Sequence, residues 1–168
     1  MIIFETNRLI VRQFQASDLD NLFAIYGDPV VMKYIRTPMK KESALELLEK
    51  QITSYASTPY YGRFAVTDKS AGRFVGNFVL RFTASINGTE IGYAFVTEEW
   101  GKGFATELTL RGLQYAFNTV SLEKVLAITD IENELSKKVL LKCGFHQLPN
   151  IIEEGKEVCL FEILKPLT

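Results

Sequence analysis

The sequence predicts a mixed α+β fold, three layers deep, in which a central and mostly antiparallel sheet of about seven strands carries about four helices on its two faces. Three observations lead there. Apolar residues alternate at period two in several short runs and recur at period 3.6 in longer ones. A strand, glycine turn, helix and strand from Glu90 to Thr129 close as a right-handed parallel crossover. At 168 residues, 19.0 kDa and 47% hydrophobic content, the chain suits one domain spanning residues 1–168 with a sizeable core.

In chain order, Arg8 to Arg12 alternates as a first strand. Ser17 is placed to cap a helix whose Leu19, Leu22, Phe23 and Tyr26 form one stripe, ended by Gly27-Asp28-Pro29. Thr37-Pro38 is a second helix start, followed by Leu45, Leu48, Ile52 and Tyr55. Strands at Phe64–Val66 and Phe74–Phe82 flank a turn at Asp68 to Gly72. Asn87-Gly88 suits a tight hairpin, or a longer loop, leading into Glu90–Val96. The helix ending near Asn118 has apolar residues on two faces, Leu110, Leu113 and Phe117 on one and Leu108, Gly112 and Ala116 on the other, so it is the more buried one. Val125–Thr129 is a buried strand. Asn133 starts a last helix with Leu135, Val139 and Cys143 inward and Gly144 closing it. Phe145–Ile151 and Val158–Leu164 complete the sheet around Glu153 to Lys156.

Composition removes several function classes. A formal charge of −1 and a pI of about 5.9 argue against a general polyanion binder, so direct nucleic-acid binding is not expected. Cys143 and Cys159 have no CxxC or histidine partner, which argues against a metal site or an obligatory disulfide. Without a basic start leading into an apolar stretch, or a run of ~18 apolar residues, the expectation is a soluble cytoplasmic protein away from membranes.

The turn Trp100-Gly101-Lys102-Gly103-Phe104-Ala105-Thr106-Glu107 carries the chemistry. Two glycines strip side chains from a loop entering a helix, whose first N–H groups and dipole can hold a diphosphate, with Lys102 adding a screened charge. The same glycines can simply shape a loop. A Walker A site needs Gly-Lys-Ser/Thr after a longer glycine loop, and a dinucleotide fingerprint needs Gly or Ala where Thr106 stands.

Trp100-Gly101-Lys102-Gly103-Phe104-Ala105 resembles the acetyl-CoA loop of the GCN5-related N-acetyltransferases (GNAT), Arg/Gln-x-x-Gly-x-Gly/Ala, with Trp100 where Arg or Gln is usual. Glu90-Ile91-Gly92-Tyr93, Thr6-Asn7-Arg8-Leu9 with Arg12, Asn133 with Ser136, and Lys142-Cys143-Gly144-Phe145 extend the likeness over nearly the whole chain, toward the branch acetylating ribosomal-protein N-termini. The resemblance implies a GNAT-like fold in which Glu90–Val96 splays from Val125–Thr129 to admit the pantetheine arm. It implies backbone N–H groups near Phe95 and Val96 that pair with the arm and polarise the thioester. It also implies coenzyme contacts from Trp100, Gly101, Lys102, Gly103, Phe104, Ala105, Thr106, Asn133 and Ser136, with Ser136 protonating the departing thiolate.

Acetyl transfer then needs acetyl-CoA as cosubstrate, no metal, and a base for the amine. Glu90 is the first candidate and Glu107 the second. Each candidate has a plainer alternative: Glu90 as a surface residue beside a hairpin, Glu107 as a helix-start carboxylate, Asn133 as a cap on the Ser136 N–H, His146 as a structural or solvent-facing residue, Tyr93 and Trp100 as packing. The expected acceptor is a protein or peptide α-amine, held between the first two helices and the last hairpin. A polyamine or antibiotic amine, or a non-catalytic acyl-CoA sensor, is the alternative. The expected assembly is a monomer or homodimer.

Overall fold

A computed structural model describes residues 1–166 and shows the mixed α+β architecture with nine strands rather than about seven. The strands are β1 (Ile2–Glu5), β2 (Leu9–Gln13), β3 (Gly62–Asp68), β4 (Phe74–Thr83), β5 (Gly88–Phe95), β6 (Lys124–Asp130), β7 (His146–Gln147), β8 (Ile151–Glu153) and β9 (Lys156–Leu164). The helices are α1 (Leu19–Tyr26), α2 (Pro29–Met32), α3 (Lys41–Ser54), α4 (Phe104–Asn118) and α5 (Glu134–Lys142). The sheet runs β1-β2-β3-β4-β5-β6-β9-β7, with β8 also on β9, and every pairing is antiparallel except β5 with β6.

Two apolar layers cover this sheet. On one face α4 and α5 pack over Phe64, Phe78 and Phe161, all fully buried. At roughly 1.5–3 kcal/mol for a buried side chain of this kind, these rings are principal contributors to the core. On the other face Leu22, Ile25 and Tyr26 of α1, Val31 and Met32 of α2 and Leu48 of α3 pack over Ala65 and Ala94.

Several element details differ from the sequence pattern. The cap of α1 is Asp18, not Ser17, and its carboxylate is fully used: it accepts from Arg12 at 2.7 Å and 2.9 Å, from Gln15 N–H at 2.8 Å and from Asn21 at 2.9 Å. Thr37-Pro38 starts no helix, because α3 begins at Lys41. The proline-led start is Asp28-Pro29, where the Asp28 side chain caps α2 through the Val30 N–H at 2.7 Å. The inward stripe of α3 is Ala44, Leu48 and Gln51, followed by the buried Tyr55 at its C-cap, and Leu45 is 41% exposed. Likewise Leu110 of α4 and Leu135 of α5 face out at 47% and 71% exposure. The run Phe145–Ile151 divides into β7 and β8, which pair with successive stretches of β9. The Asn87-Gly88 turn takes the longer form, a 3-10 turn over Ala84–Ile86 closed by Asn87 at φ 44°.

Candidate active site

The crossover from β5 through α4 to β6 builds the site. β5 and β6 pair only at Glu90 with Leu126, so beyond that point they diverge. On its other edge β5 is laddered to β4 throughout, and Val96 N–H donates to the Val75 carbonyl at 3.1 Å. Bonding direction alternates along an antiparallel strand, so Gly92, Ala94 and Val96 serve β4 while Tyr93 and Phe95 turn their N–H and C=O groups toward the gap. The expected Val96 donor is thus already committed to the sheet, and the donors facing the splay belong to Phe95 and Tyr93. The Phe95 carbonyl there accepts from the Trp100 indole N–H at 2.8 Å. Trp100 therefore braces the strand end while staying 48% exposed.

Gly101 and Gly103 adopt φ 75° and 79°, the left-handed region in which a side chain is strained. Gly103 is the N-cap of α4 and offers no side chain, so the N–H groups of Phe104, Ala105 and Thr106 at the helix start have no capping partner. A Cβ on Gly101 would meet nothing within 4 Å, so the turn presents bare backbone to its surroundings. This donor set fits a diphosphate. Lys102 contributes less than expected, because its ammonium donates to Glu99 at 3.0 Å. The Glu99 carboxylate has no exposed surface and also pairs with Arg73. Burial pushes its pKa up, but the hydrogen bonds from Arg73 and Lys102 outweigh that and hold it below the ordinary value.

Glu107 is fully occupied, which removes it as a base. It accepts from Thr6 Oγ1 at 2.5 Å, Arg8 N–H at 2.9 Å and Arg8 Nε at 2.7 Å, and these bonds overcome burial to lower its pKa. Glu90 is no surface residue: it is 7% exposed, on the α1–α3 face of the sheet, with Oε1 accepting from Arg81 Nε at 2.5 Å. Along the same face the Tyr26 hydroxyl accepts from Arg63 Nε at 3.0 Å and Asn77 Nδ2 at 3.1 Å. Two openings lie on this side, a cavity of about 320 Å³ lined by Arg81, Ser85, Glu153 and Glu154, and one of about 420 Å³ lined by Phe23, Gly27, Asp28 and Val96.

Asn133 caps α5 by accepting from Ser136 N–H at 3.1 Å. Ser136 faces Tyr93, whose hydroxyl is buried with no hydrogen-bond partner. Burial pushes the Tyr93 phenol up to about 12, against a smaller pull from Ser136. His146 lies exposed on β7. Among the described residues no cluster of His, Cys, Asp and Glu could hold a metal ion, and no helix is long and apolar enough to cross a membrane. The sequence named Arg8 without its contacts and gave no sign of the Arg73–Glu99 pair or the Tyr26–Arg63–Asn77 group; the Arg8–Glu107, Arg73–Glu99, Tyr26–Arg63 and Tyr26–Asn77 contacts join residues 26 to 99 positions apart.

Residues 8–146 match the family model described as an acetyltransferase (GNAT) domain. The uncharacterised N-acetyltransferase p20 of Bacillus licheniformis is 30% identical, covering 95% of this chain and 94% of the relative. The spermidine N(1)-acetyltransferase of Vibrio cholerae is 25% identical over 88% of this chain and 84% of its own. A GNAT-family acetyltransferase structure from Bacillus anthracis superposes with a TM-score of 0.84 at 24% identity, covering 98% of both chains.

Proposed function

The chain belongs to the GNAT acetyltransferase family and is an acetyl-CoA-dependent N-acetyltransferase; from that premise we propose that residues 1–168 act as one catalytic domain whose acceptor is the α-amine of a protein or peptide. The observation that carries this reading is Glu90: a buried carboxylate beside the splay with one oxygen on Arg81 and, among the described residues, no hydrogen bond at the other. That leaves room to receive a single proton from one amine. Deprotonating an α-amine of pKa ~8 at pH 7 costs about 1.4 kcal/mol, whereas a lysine-like amine of pKa ~10.4 costs about 4.6 kcal/mol. One shared carboxylate suits the smaller task.

In this reading the diphosphate rests on the N–H groups from Gly101 to Thr106. The thioester arm lies between β5 and β6, with the Tyr93 and Phe95 N–H groups facing it. The amine nitrogen attacks the thioester carbon from the Glu90 side, a backbone N–H stabilises the oxyanion, and the carbon–sulfur bond breaks. Glu90, directly or through water, takes the amine proton. Ser136 supplies a hydroxyl for the thiolate, a modest demand because a thiol of pKa ~8.5 leaves readily.

A polyamine acceptor is the second reading, favoured by Glu153 and Glu154 at the cavity beside Arg81. A thiol-release assay with acetyl-CoA against N-terminal peptides, polyamines and aminoglycosides separates them. Turnover with peptides supports the proposal, turnover with polyamines or antibiotics alone overturns it, and coenzyme binding without any turnover supports a sensor instead.

A further inference from the structure

Behind the phosphate turn, a polar knot joins the amino-terminal strands to α4. Arg8 sits between β1 and β2, and its guanidinium does three things at once. Through Nε at 2.7 Å and Nη2 at 2.6 Å it grips Glu107 Oε2. Its Nη1 donates to the Lys102 carbonyl at 3.0 Å. Its plane lies over the Phe104 ring, 4.5 Å from the centroid. Glu107 is in turn fixed by Thr6 Oγ1 and the Arg8 N–H, so the arginine is held from both ends.

The Lys102 carbonyl matters because it shares a peptide plane with the Gly103 N–H. In a trans peptide the two point in opposite directions, and the described residues contain no cis bond. Anchoring the carbonyl on Arg8 therefore aims the Gly103 N–H away from Arg8. A turn with glycines on both sides of Lys102 is otherwise free to rotate this plane at little steric cost. We propose that Arg8, clamped by Glu107, is a positioning residue for the coenzyme: it sets the orientation of the Lys102–Gly103 peptide and so the turn's affinity for a diphosphate. This rests on the reading of residues 101–106 as the diphosphate site, and it assigns Glu107 to that clamp.

The test compares acetyl-CoA with acetyl-pantetheine, which keeps the thioester arm and lacks the diphosphate. For Arg8→Gln we expect KM for acetyl-CoA to rise about tenfold, kcat to change less than about twofold, and kcat/KM for acetyl-pantetheine to stay at the wild-type value. Arg8→Lys, a point charge that cannot hold Glu107 and the Lys102 carbonyl together, should recover only part of the loss. An unchanged KM for acetyl-CoA overturns the proposal, and so does an equal loss with both donors, which marks a purely structural arginine. Should Arg8→Gln fail to fold, Glu107→Gln decides by the same comparison, with a smaller rise in KM for acetyl-CoA expected and no rise contradicting. If wild-type protein uses both donors equally well, the diphosphate reading itself fails and this proposal with it.

Discussion

Among the described residues the buried Tyr93 hydroxyl has no hydrogen-bond partner, and the Ser136 hydroxyl facing it closes no bond of normal geometry. Leaving a buried donor unpaired costs about 1–3 kcal/mol, so deleting it should cost the fold nothing. Tyr93→Phe is expected to keep or raise the urea midpoint of the ligand-free protein; a loss of more than about 1 kcal/mol would show the hydroxyl to be bonded. The identities of the residues around the phosphate turn were readable from the sequence, but their commitments were not. Lys102 looks free until Glu99 is seen to hold it, Val96 looks like a donor until β4 claims it, and Glu107 looks like a base until Thr6 and Arg8 occupy it. The last of these depends on a partner 99 residues away, which no local pattern encodes.

At the scale of elements, α4 shows how packing overrules propensity. Gly112 faces the sheet, and a Cβ built there would come within 2.7 Å of the Phe78 ring and 3.0 Å of Ile91. Alanine gains about 1 kcal/mol in helix propensity, but overpacking a dense core costs about 1–3 kcal/mol. Gly112→Ala should therefore be destabilised in urea unfolding, and a stabilised variant would mean that Phe78 can yield. The buried character of α4 was legible because Leu108, Gly112 and Ala116 mark a second inward face. The stripes of α3 and α5 were displaced because Leu45 and Leu135 are exposed apolar residues, while Gln51 lies buried with its amide bonded to the Arg63 N–H at 2.9 Å. The short β1 was overlooked because its four residues make no full alternation, and its pairing with β2 supplies what the pattern lacks.

Across the whole molecule, the parallel crossover in an otherwise antiparallel sheet was legible from the order of periods, a strand, a single long helix and a strand in succession, which is the pattern of a right-handed βαβ unit. What ties the layers together electrostatically was not. Asp18, Glu99, Glu107 and Asp130 are each pushed upward by burial, yet held below their ordinary values, chiefly by Arg12, Arg73, Thr6 with Arg8, and Lys156 respectively. Because the folded values lie lower than the unfolded ones near ~4, this stabilisation is complete above that pH and drains away as pH falls through it toward the folded values. The urea midpoint should fall steeply below about pH 4, and a flat profile from about pH 5 to pH 3 would contradict these pairings.

The proposed function rests on backbone N–H groups at the start of α4 gripping the coenzyme diphosphate. Calorimetric titration of CoA into wild-type, Gly103→Asn and Gly103→Asp protein tests it directly, because asparagine and aspartate both tolerate the left-handed backbone and have nearly the same size, so the negative charge is their main difference. Clear binding to the wild type, some weakening with asparagine and a further loss of about tenfold or more with aspartate are expected. Equal affinity in the two variants, or no heat from the wild type at saturating CoA, would contradict it.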